Sequence, residues 1–383
     1  MRVLTGARIF DGEQFRDDCA LVIEGASIAA IASFGDRPRG GEQTDLGGGV
    51  LAPGFVDWQI NGGGGVLFNA EPTVEGIAAI AAAHRRAGVT SFLPTVVTDA
   101  PRVLGQALAA AREGVSRIPG ALGVHVEGPF IDPKRKGVHP PEFIRPMEEK
   151  DADALIGSRA GAMVVTLAPA SVPLERIARL ANAGVIVSLG HSDATAEEAA
   201  SVFGAGASAV THLYNAMSQL ASRAPGVVGA TLADPHIVCG MIADGEHAHA
   251  AAYRAAIAAK GARGIALVSD AMPPAAGGPD VFELQGRRMT RVGRKLVAED
   301  GTLAGAAITM RDAIDYVVRT LGIPLAEALT MATLTPARLL RVDDRIGRLA
   351  PGYRADLVHL TDDLQVAEVW TAGRRLEEIE ATP

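Results

Sequence analysis

Between residues 50 and 269 the chain repeats one unit, a short apolar run of strand length followed by a longer stretch with helical spacing. The apolar runs lie at 50–60, 89–97, 122–128, 164–168, 185–190, 209–213, 237–242 and 265–269. The stretches 73–87, 100–116, 148–159, 173–183, 194–204 and 248–260 place apolar residues near helical spacing and are rich in alanine, and both features favour helix. Two further helices are expected at 311–321 and 325–333, after the last apolar run. Eight near-continuous apolar strands separated by helices point to an α/β chain folded as a (β/α)8 barrel of the triosephosphate-isomerase type. On this pattern alone a doubly wound sheet is the alternative.

The flanks read differently. The first fifty residues and the stretch 347–377 are short strands and turns punctuated by glycine. A small β-sandwich domain built from both chain ends, 1–50 plus 345–383, is therefore expected, with the barrel at 51–344 inserted between its halves. Residues 280–302 interrupt the barrel pattern with two hairpin-like stretches, FELQGRRMT and RKLVAEDGT. The four glycines 62–65 follow a strand; they suit a backbone cradle for an anion or a sharp turn equally, and match no Walker or dinucleotide motif.

Composition removes several function classes. Lys plus Arg is 36 and Asp plus Glu 44, a net charge of −8, which argues against general nucleic-acid binding. Cys19 and Cys239 are the only cysteines, too few for a disulfide framework or a cysteine zinc site, and read as buried free thiols. The N-terminal residues contain no signal-peptide core, and no apolar run is long enough to span a membrane. A soluble, cytoplasmic protein is expected.

The chemistry lies at the ends of the apolar runs. In a barrel, the C-terminal strand ends form the active-site face. Those ends carry Gln59 and Asn61, His125 and Glu127, His191, His212, Asp244 and His247, and Asp270. A lone histidine is usually structural, but four ends of one barrel point into one mouth. Glu127, His191 and His212 supply one oxygen and two nitrogens, a set that suits a catalytic zinc with one position left for water. Iron or cobalt suits the same donors. Asp270 would stand beside that water to take and return its proton. His125 lies two residues before Glu127 on the same strand face and is read as support or packing rather than a fourth ligand.

The motifs PGFVDWQINGGGG, HVEGPF, KGVHP, LAPA, GHSDAT, THLYNAM, ADGEHAH, SDAMPP, GTLAGAAITM and GRLAPGYRADLV run over essentially the whole chain. Together they resemble the amidohydrolase superfamily and, within it, the N-acetylglucosamine-6-phosphate deacetylases. The resemblance implies the barrel with a small β-sandwich from both termini, a homodimer, and hydrolysis of the acetamido group of N-acetyl-D-glucosamine 6-phosphate to glucosamine 6-phosphate and acetate, in amino-sugar catabolism or cell-wall recycling. It implies that Glu127, His191 and His212 hold one divalent metal ion, zinc first, and that Asp270 is general base and acid. It implies that His139 contacts the sugar or polarises the amide carbonyl, that Asn215 and Ala216 contact substrate, and that Leu303, Ala304 and Gly305 line the acetyl pocket. Arg223 and His247 would bind phosphate, Arg223 by reaching across the dimer.

One departure matters. Many members carry His-x-His where this chain has Gln59-Ile60-Asn61. Amides bind a zinc-like ion more weakly than imidazoles, which points to one ion and a vestigial second position. The basic run Lys134-Arg135-Lys136 reads as a solvated loop. The alternatives are deacetylation of N-acetylgalactosamine 6-phosphate, another amidohydrolase chemistry, and a non-catalytic sugar-phosphate binder, the last disfavoured because Glu127, His191, His212 and Asp270 are all present.

Overall fold

Apolar runs and helices alternate in space as they do in the chain. The structure, a computed structural model, describes residues 1–380. The barrel strands are Phe55–Ile60 (β1), Val89–Val97 (β2), Gly123–Glu127 (β3), Ala162–Leu167 (β4), Ile186–Leu189 (β5), Ala209–Val210 (β6), Val238–Met241 (β7) and Ile265–Leu267 (β8). Each pairs in parallel with the next, and together they form one eight-stranded sheet. Between them run the helices Val74–Arg85 (α1), Pro101–Arg117 (α2), Glu149–Ser158 (α3), Leu174–Asn182 (α4), Ala196–Gly204 (α5), Gly226–Ala233 (α6) and Ala250–Lys260 (α7). Their starts follow local chemistry. Thr73 accepts the Gly76 N–H at the head of α1, and Thr195 with Glu198 makes a capping box on α5. α6 fills the interval between the sixth and seventh strands, where the sequence pattern is least clear.

The seam between β8 and β1 has no strand ladder. It is closed just beyond β8, where Asp270 N–H donates to the Gln59 carbonyl at 3.0 Å and Asn61 N–H to the Ala271 carbonyl at 2.9 Å. Below them the fully buried Asp57 carboxylate accepts the Ser269 N–H at 3.2 Å and the Gln59 N–H at 3.2 Å. One side chain thus stands in for missing backbone pairing.

The apolar run 50–60 is two strands. Val50–Pro53 leaves the barrel and pairs with Leu357–Leu360 in a six-stranded sheet that mixes both chain ends. The break falls at Gly54, where a Cβ would overlap Thr90. A four-stranded sheet of N-terminal strands packs on this one through Leu4, Leu21, Leu51, Leu357 and Trp370, giving the expected β-sandwich.

Residues 280–302 are the start of a four-stranded antiparallel sheet: Val281–Leu284 (β9), Arg287–Val292 (β10), Lys295–Ala298 (β11) and Leu303–Ala306 (β12). Its small core, including Leu284, Met289, Leu296 and Ala304, sits beside Leu67, Val97 and Met272. The helical stretch expected at 311–321 is an α-helix, Met310–Asp315, continued by a wider π-turn at Tyr316–Thr320.

The four glycines form a tight hairpin rather than an anion cradle. Three of their amides are spent: Gly62 donates to Ala271 O, Gly64 to Ala275 O and Gly65 to Pro273 O. His84, buried beneath, meets the Gly62 carbonyl through Nε2 at 2.9 Å. Both cysteines are free thiols, Cys239 buried and Cys19 partly so. Among the described residues no helix is long and apolar enough to cross a membrane.

Burial pushes the Asp57 carboxyl up to about 7, against the pull of its bonds from Ser269 and Gln59. A carboxyl raised in the folded state stabilises below its ordinary value and loses that contribution as pH rises through the raised one. The Asp57→Asn variant should therefore lose less melting temperature than the parent between about pH 5 and about pH 8. Thermal unfolding at both pH values checks this; equal losses would contradict it.

Candidate active site

Several strand ends deliver polar side chains to the barrel mouth, three of them from unusual backbone. His191, His212 and Asp270 have φ values of 46°, 30° and 47°, the left-handed region. Side chains rarely sit there unless the surroundings impose it. Here they do. The His191 carbonyl accepts from Asp132 N–H at 2.9 Å, and the His212 carbonyl from Asn215 N–H at 2.9 Å. The Asp270 carbonyl accepts from Ala306 N–H at 2.9 Å. Each residue turns a corner and aims its side chain inward.

Glu127, His191 and His212 converge. His212 Nε2 lies 2.9 Å from Glu127 Oε1, His191 Nε2 lies 3.1 Å from the same oxygen, and the two Nε2 atoms are 3.1 Å apart. Two imidazole nitrogens and a carboxylate oxygen this close are the donor spacing of one small divalent ion, whose zinc–nitrogen bonds run about 2.0–2.1 Å. The tautomer of His191 agrees. Its Nδ1 donates to the Arg135 carbonyl at 2.8 Å, so the neutral ring presents a lone pair at Nε2. His139 brings a nitrogen within 4.8 Å of the Glu127 and His191 donors. Its Nδ1 is engaged with Thr98 Oγ1 at 2.7 Å, and the closest set, at 2.9–3.1 Å, is that of Glu127, His191 and His212. Burial pushes the Glu127 carboxyl up, yet His191 and His212 together hold it well below its ordinary range. Burial works against a charged His212 too, but the bond and charge of Glu127 leave it raised.

His125 takes no part in that cluster. Its nitrogens meet Thr95 Oγ1 at 3.3 Å and Thr166 Oγ1 at 2.7 Å, and burial lowers it to about 4. It belongs to the barrel interior, as expected.

Asp270 faces the cluster from the other side of the mouth. Asn61 Nδ2 donates to its Oδ1 at 2.7 Å and Gln59 Nε2 at 3.2 Å. Gln59 Nε2 also reaches Glu127 Oε2 at 3.1 Å. The two amides of the first strand thus act as donors to acids and hold both carboxylates in place. Burial and the charge of Glu127 raise the Asp270 carboxyl to about 6, while His212, His247 and Asn61 pull it back.

A cavity of about 380 Å3 opens above these groups. Glu127, His139, His191, His212, Asn215, Ala216, His247, Asp270, Leu303 and Gly305 all line it, as does Asn61. Gln59 sits beneath, fully buried. His139 is neutral and buried, its ionisation pushed down to about 3 by desolvation and then by His191. His247 Nδ1 is held by Asp244 Oδ2 at 2.7 Å. Two expected residues are not brought to the cavity. Ala304 points into the core of the β-insert, because alternate residues of β12 face opposite ways, leaving Leu303 and Gly305 on the cavity side. Arg223 is exposed on the loop before α6 and does not line the cavity.

Two residues read from sequence as solvated do line it. Lys134 and Arg135 form the rim next to His191, Arg135 paired with Asp193 at 2.7 Å. Their signal was present as a charge run a few residues before His139. Thr98 and Asp57 carried none.

The amidohydrolase family model matches residues 50–376. The chain belongs to the amidohydrolase family. This family implies metal-dependent hydrolysis, and the cluster of Glu127 with His191 and His212 is where a divalent ion fits. The amidohydrolase is 38% identical over 387 residues to the N-acetylgalactosamine-6-phosphate deacetylase of Shewanella sp. (strain ANA-3), covering 99% of this chain and 97% of that protein. It is 37% identical over 366 residues to the N-acetylglucosamine-6-phosphate deacetylase of Haemophilus influenzae, covering 93% and 94%. The crystal structure of N-acetylglucosamine-6-phosphate deacetylase from Pasteurella multocida superposes with a TM-score of 0.95 at 35% identity, covering 98% of this chain and 99% of that one.

Removing the Asn61 donor should raise the Asp270 carboxyl further. If Asp270 works as a base, the acid limb of the kcat/KM profile of Asn61→Leu then moves to higher pH. A limb at the parent position would show that Asn61 does not tune Asp270.

Proposed function

We propose that this amidohydrolase removes the acetyl group of N-acetyl-D-glucosamine 6-phosphate, releasing acetate and glucosamine 6-phosphate. The observation that carries the reading is the meeting of Glu127, His191 and His212 with Asp270 on one cavity, in a chain alike over nearly its whole length to deacetylases of amino-sugar phosphates. A specific relative favours a second reading: the Shewanella protein acts on the galactosamine epimer by name and is as similar as any glucosamine enzyme named above.

A divalent ion held by Glu127, His191 and His212, zinc by donor chemistry, would supply Lewis-acid polarisation and lower the pKa of water. The chain's own residues do the rest. Asp270 takes a proton from the attacking water while its carboxylate is oriented by Asn61 and Gln59. His139, its Nδ1 2.7 Å from the Thr98 hydroxyl, faces the acyl oxygen, and in the tautomer with its proton on Nε2 it stabilises the charge that develops there. Asp270 then returns its proton to the sugar nitrogen as the C–N bond breaks. Asn215, Ala216 and His247 face the phosphorylated sugar, and Leu303 with Gly305 walls the acetyl methyl.

Two further elements belong to this proposal. Arg223, exposed and absent from the lining of its own cavity, would meet phosphate in the site of a second subunit. The chain divides functionally into the sandwich of its ends, 1–50 with 345–383, and the barrel of 51–344.

Asp270→Asn should keep substrate binding and lose about 100- to 10,000-fold in kcat. Near-parent turnover would remove its role. Chelator-stripped protein should release acetate only after Zn2+, Fe2+ or Co2+ is restored, and faster from the glucosamine substrate than from its epimer. The reverse preference would establish the second reading. Arg223→Ala should raise KM for the phosphorylated sugar far more than for the unphosphorylated one; equal effects would remove the phosphate assignment.

A further inference from the structure

The loop after β3 and the turn after β5 are sewn together around His191. Asp132 N–H donates to the His191 carbonyl at 2.9 Å. The buried Asp132 carboxylate accepts Lys134 N–H at 2.9 Å through Oδ1 and Asp193 N–H at 3.2 Å through Oδ2. The Arg135 guanidinium closes on Asp193 Oδ1 with Nε at 2.8 Å and a terminal nitrogen at 2.7 Å. The Arg135 carbonyl receives His191 Nδ1 at 2.8 Å. Side chain and backbone of Arg135 thus grip the same turn at two points, two residues apart. The same segment lines the cavity through Lys134 and Arg135.

A carbonyl is a useful partner for an imidazole only if it stays put. The stretch 133–135 is a single short turn whose first amides are satisfied by Asp132. The Arg135 amide also donates to the Asp132 carbonyl at 2.9 Å, so the backbone closes the turn and the Arg135–Asp193 pair is the side-chain restraint that ties it to the His191 turn. Were the loop to swing out, Nδ1 would lose its acceptor, and the ring its fixed tautomer and aim.

We propose that Arg135, Asp193 and Asp132 are positioning residues that set how long the metal centre keeps its ion. This rests on the reading of Glu127, His191 and His212 as the ligands. Loss of an outer partner of a metal-bound histidine typically costs about 10- to 100-fold in affinity. Here the carbonyl survives any side-chain change and only its restraint is lost, so about 3- to 10-fold faster ion release is expected for Asp193→Asn and Arg135→Ala. Arg135→Lys recovers part of the parent rate, because an ammonium still pairs with Asp193 without the fork. The Arg135 and Asp193 side chains are 38% and 34% exposed, so salt screens their attraction. Ion release from the parent should quicken with sodium chloride, and release from Asp193→Asn should not.

The test uses zinc-loaded protein mixed with a chromogenic chelator, with the rate of zinc transfer as readout. The set is the parent, Asp193→Asn, Arg135→Ala, Arg135→Lys, Asp132→Ala and His191→Ala, each also melted without metal. Faster, salt-insensitive release from Asp193→Asn, with an unchanged metal-free melting temperature, is the expected result. A parent-like rate and salt response in Asp193→Asn and Arg135→Ala, while His191→Ala fails to hold zinc, would overturn the clasp alone. Parent-like zinc retention by His191→Ala would overturn the ligand reading and the clasp with it. Should Asp132→Ala not fold, the two clasp variants decide the question.

Discussion

The site depends on three residues whose backbone is bent the wrong way for a side chain. Left-handed φ at His191, His212 and Asp270 costs of order 1–3 kcal/mol at each position. It is offset by backbone bonds from Asp132, Asn215 and Ala306 to the three carbonyls. A strand continuing straight would send those side chains along the barrel wall. The bend turns them across the mouth, where the two histidines meet Glu127 and the aspartate faces them. The surrounding loops are therefore not decoration on a barrel; they enforce the corners.

Beneath the corners lies a second requirement. Thr95, His125, Thr166, Thr211 and Ser188 form a buried chain of hydrogen bonds, with hydroxyl separations of 2.6 Å at Thr166–Thr211 and Ser188–Thr211. It links four barrel strands and the end of a fifth at one level. It also explains why two histidines of this interior behave so differently. His125 spends both nitrogens on threonine hydroxyls. His212, one level higher, turns Nε2 to Glu127 and leaves Nδ1 without a partner among the described residues.

Much of this was legible in the chain. The alternation of apolar runs and helical stretches named the barrel, and polar residues at the run ends named Glu127, His191, His212 and Asp270. What escaped has physical reasons. The run 50–60 looks continuous because both its halves are buried strands; only Gly54, pressed against Thr90, marks where one sheet ends and another begins. Ala304 was grouped with its neighbours because a three-residue motif hides the two-residue alternation of a strand. Lys134 and Arg135 read as solvated because charge runs usually are, and the backbone role of Arg135 at His191 leaves no trace in residue type. Arg223 stands exposed on a loop that faces outward, which its residue type and motif do not foretell.

The β-insert ends in a strand with two duties. β12 is the wall of the cavity at Leu303 and Gly305, and at its last residue it is bolted to the barrel seam. Ala306 N–H donates to the Asp270 carbonyl, and Met272 N–H to the Ala306 carbonyl. The insert is thus tied to the backbone carbonyl of Asp270, the residue that faces Glu127, His191 and His212. Leu284, Met289 and Leu296 pack with Ala304 and Met272, so a change in their packing would reach Asp270 through β12. Change in this module would therefore bear on both the cavity wall and the backbone of Asp270 without touching the ladders of the eight barrel strands.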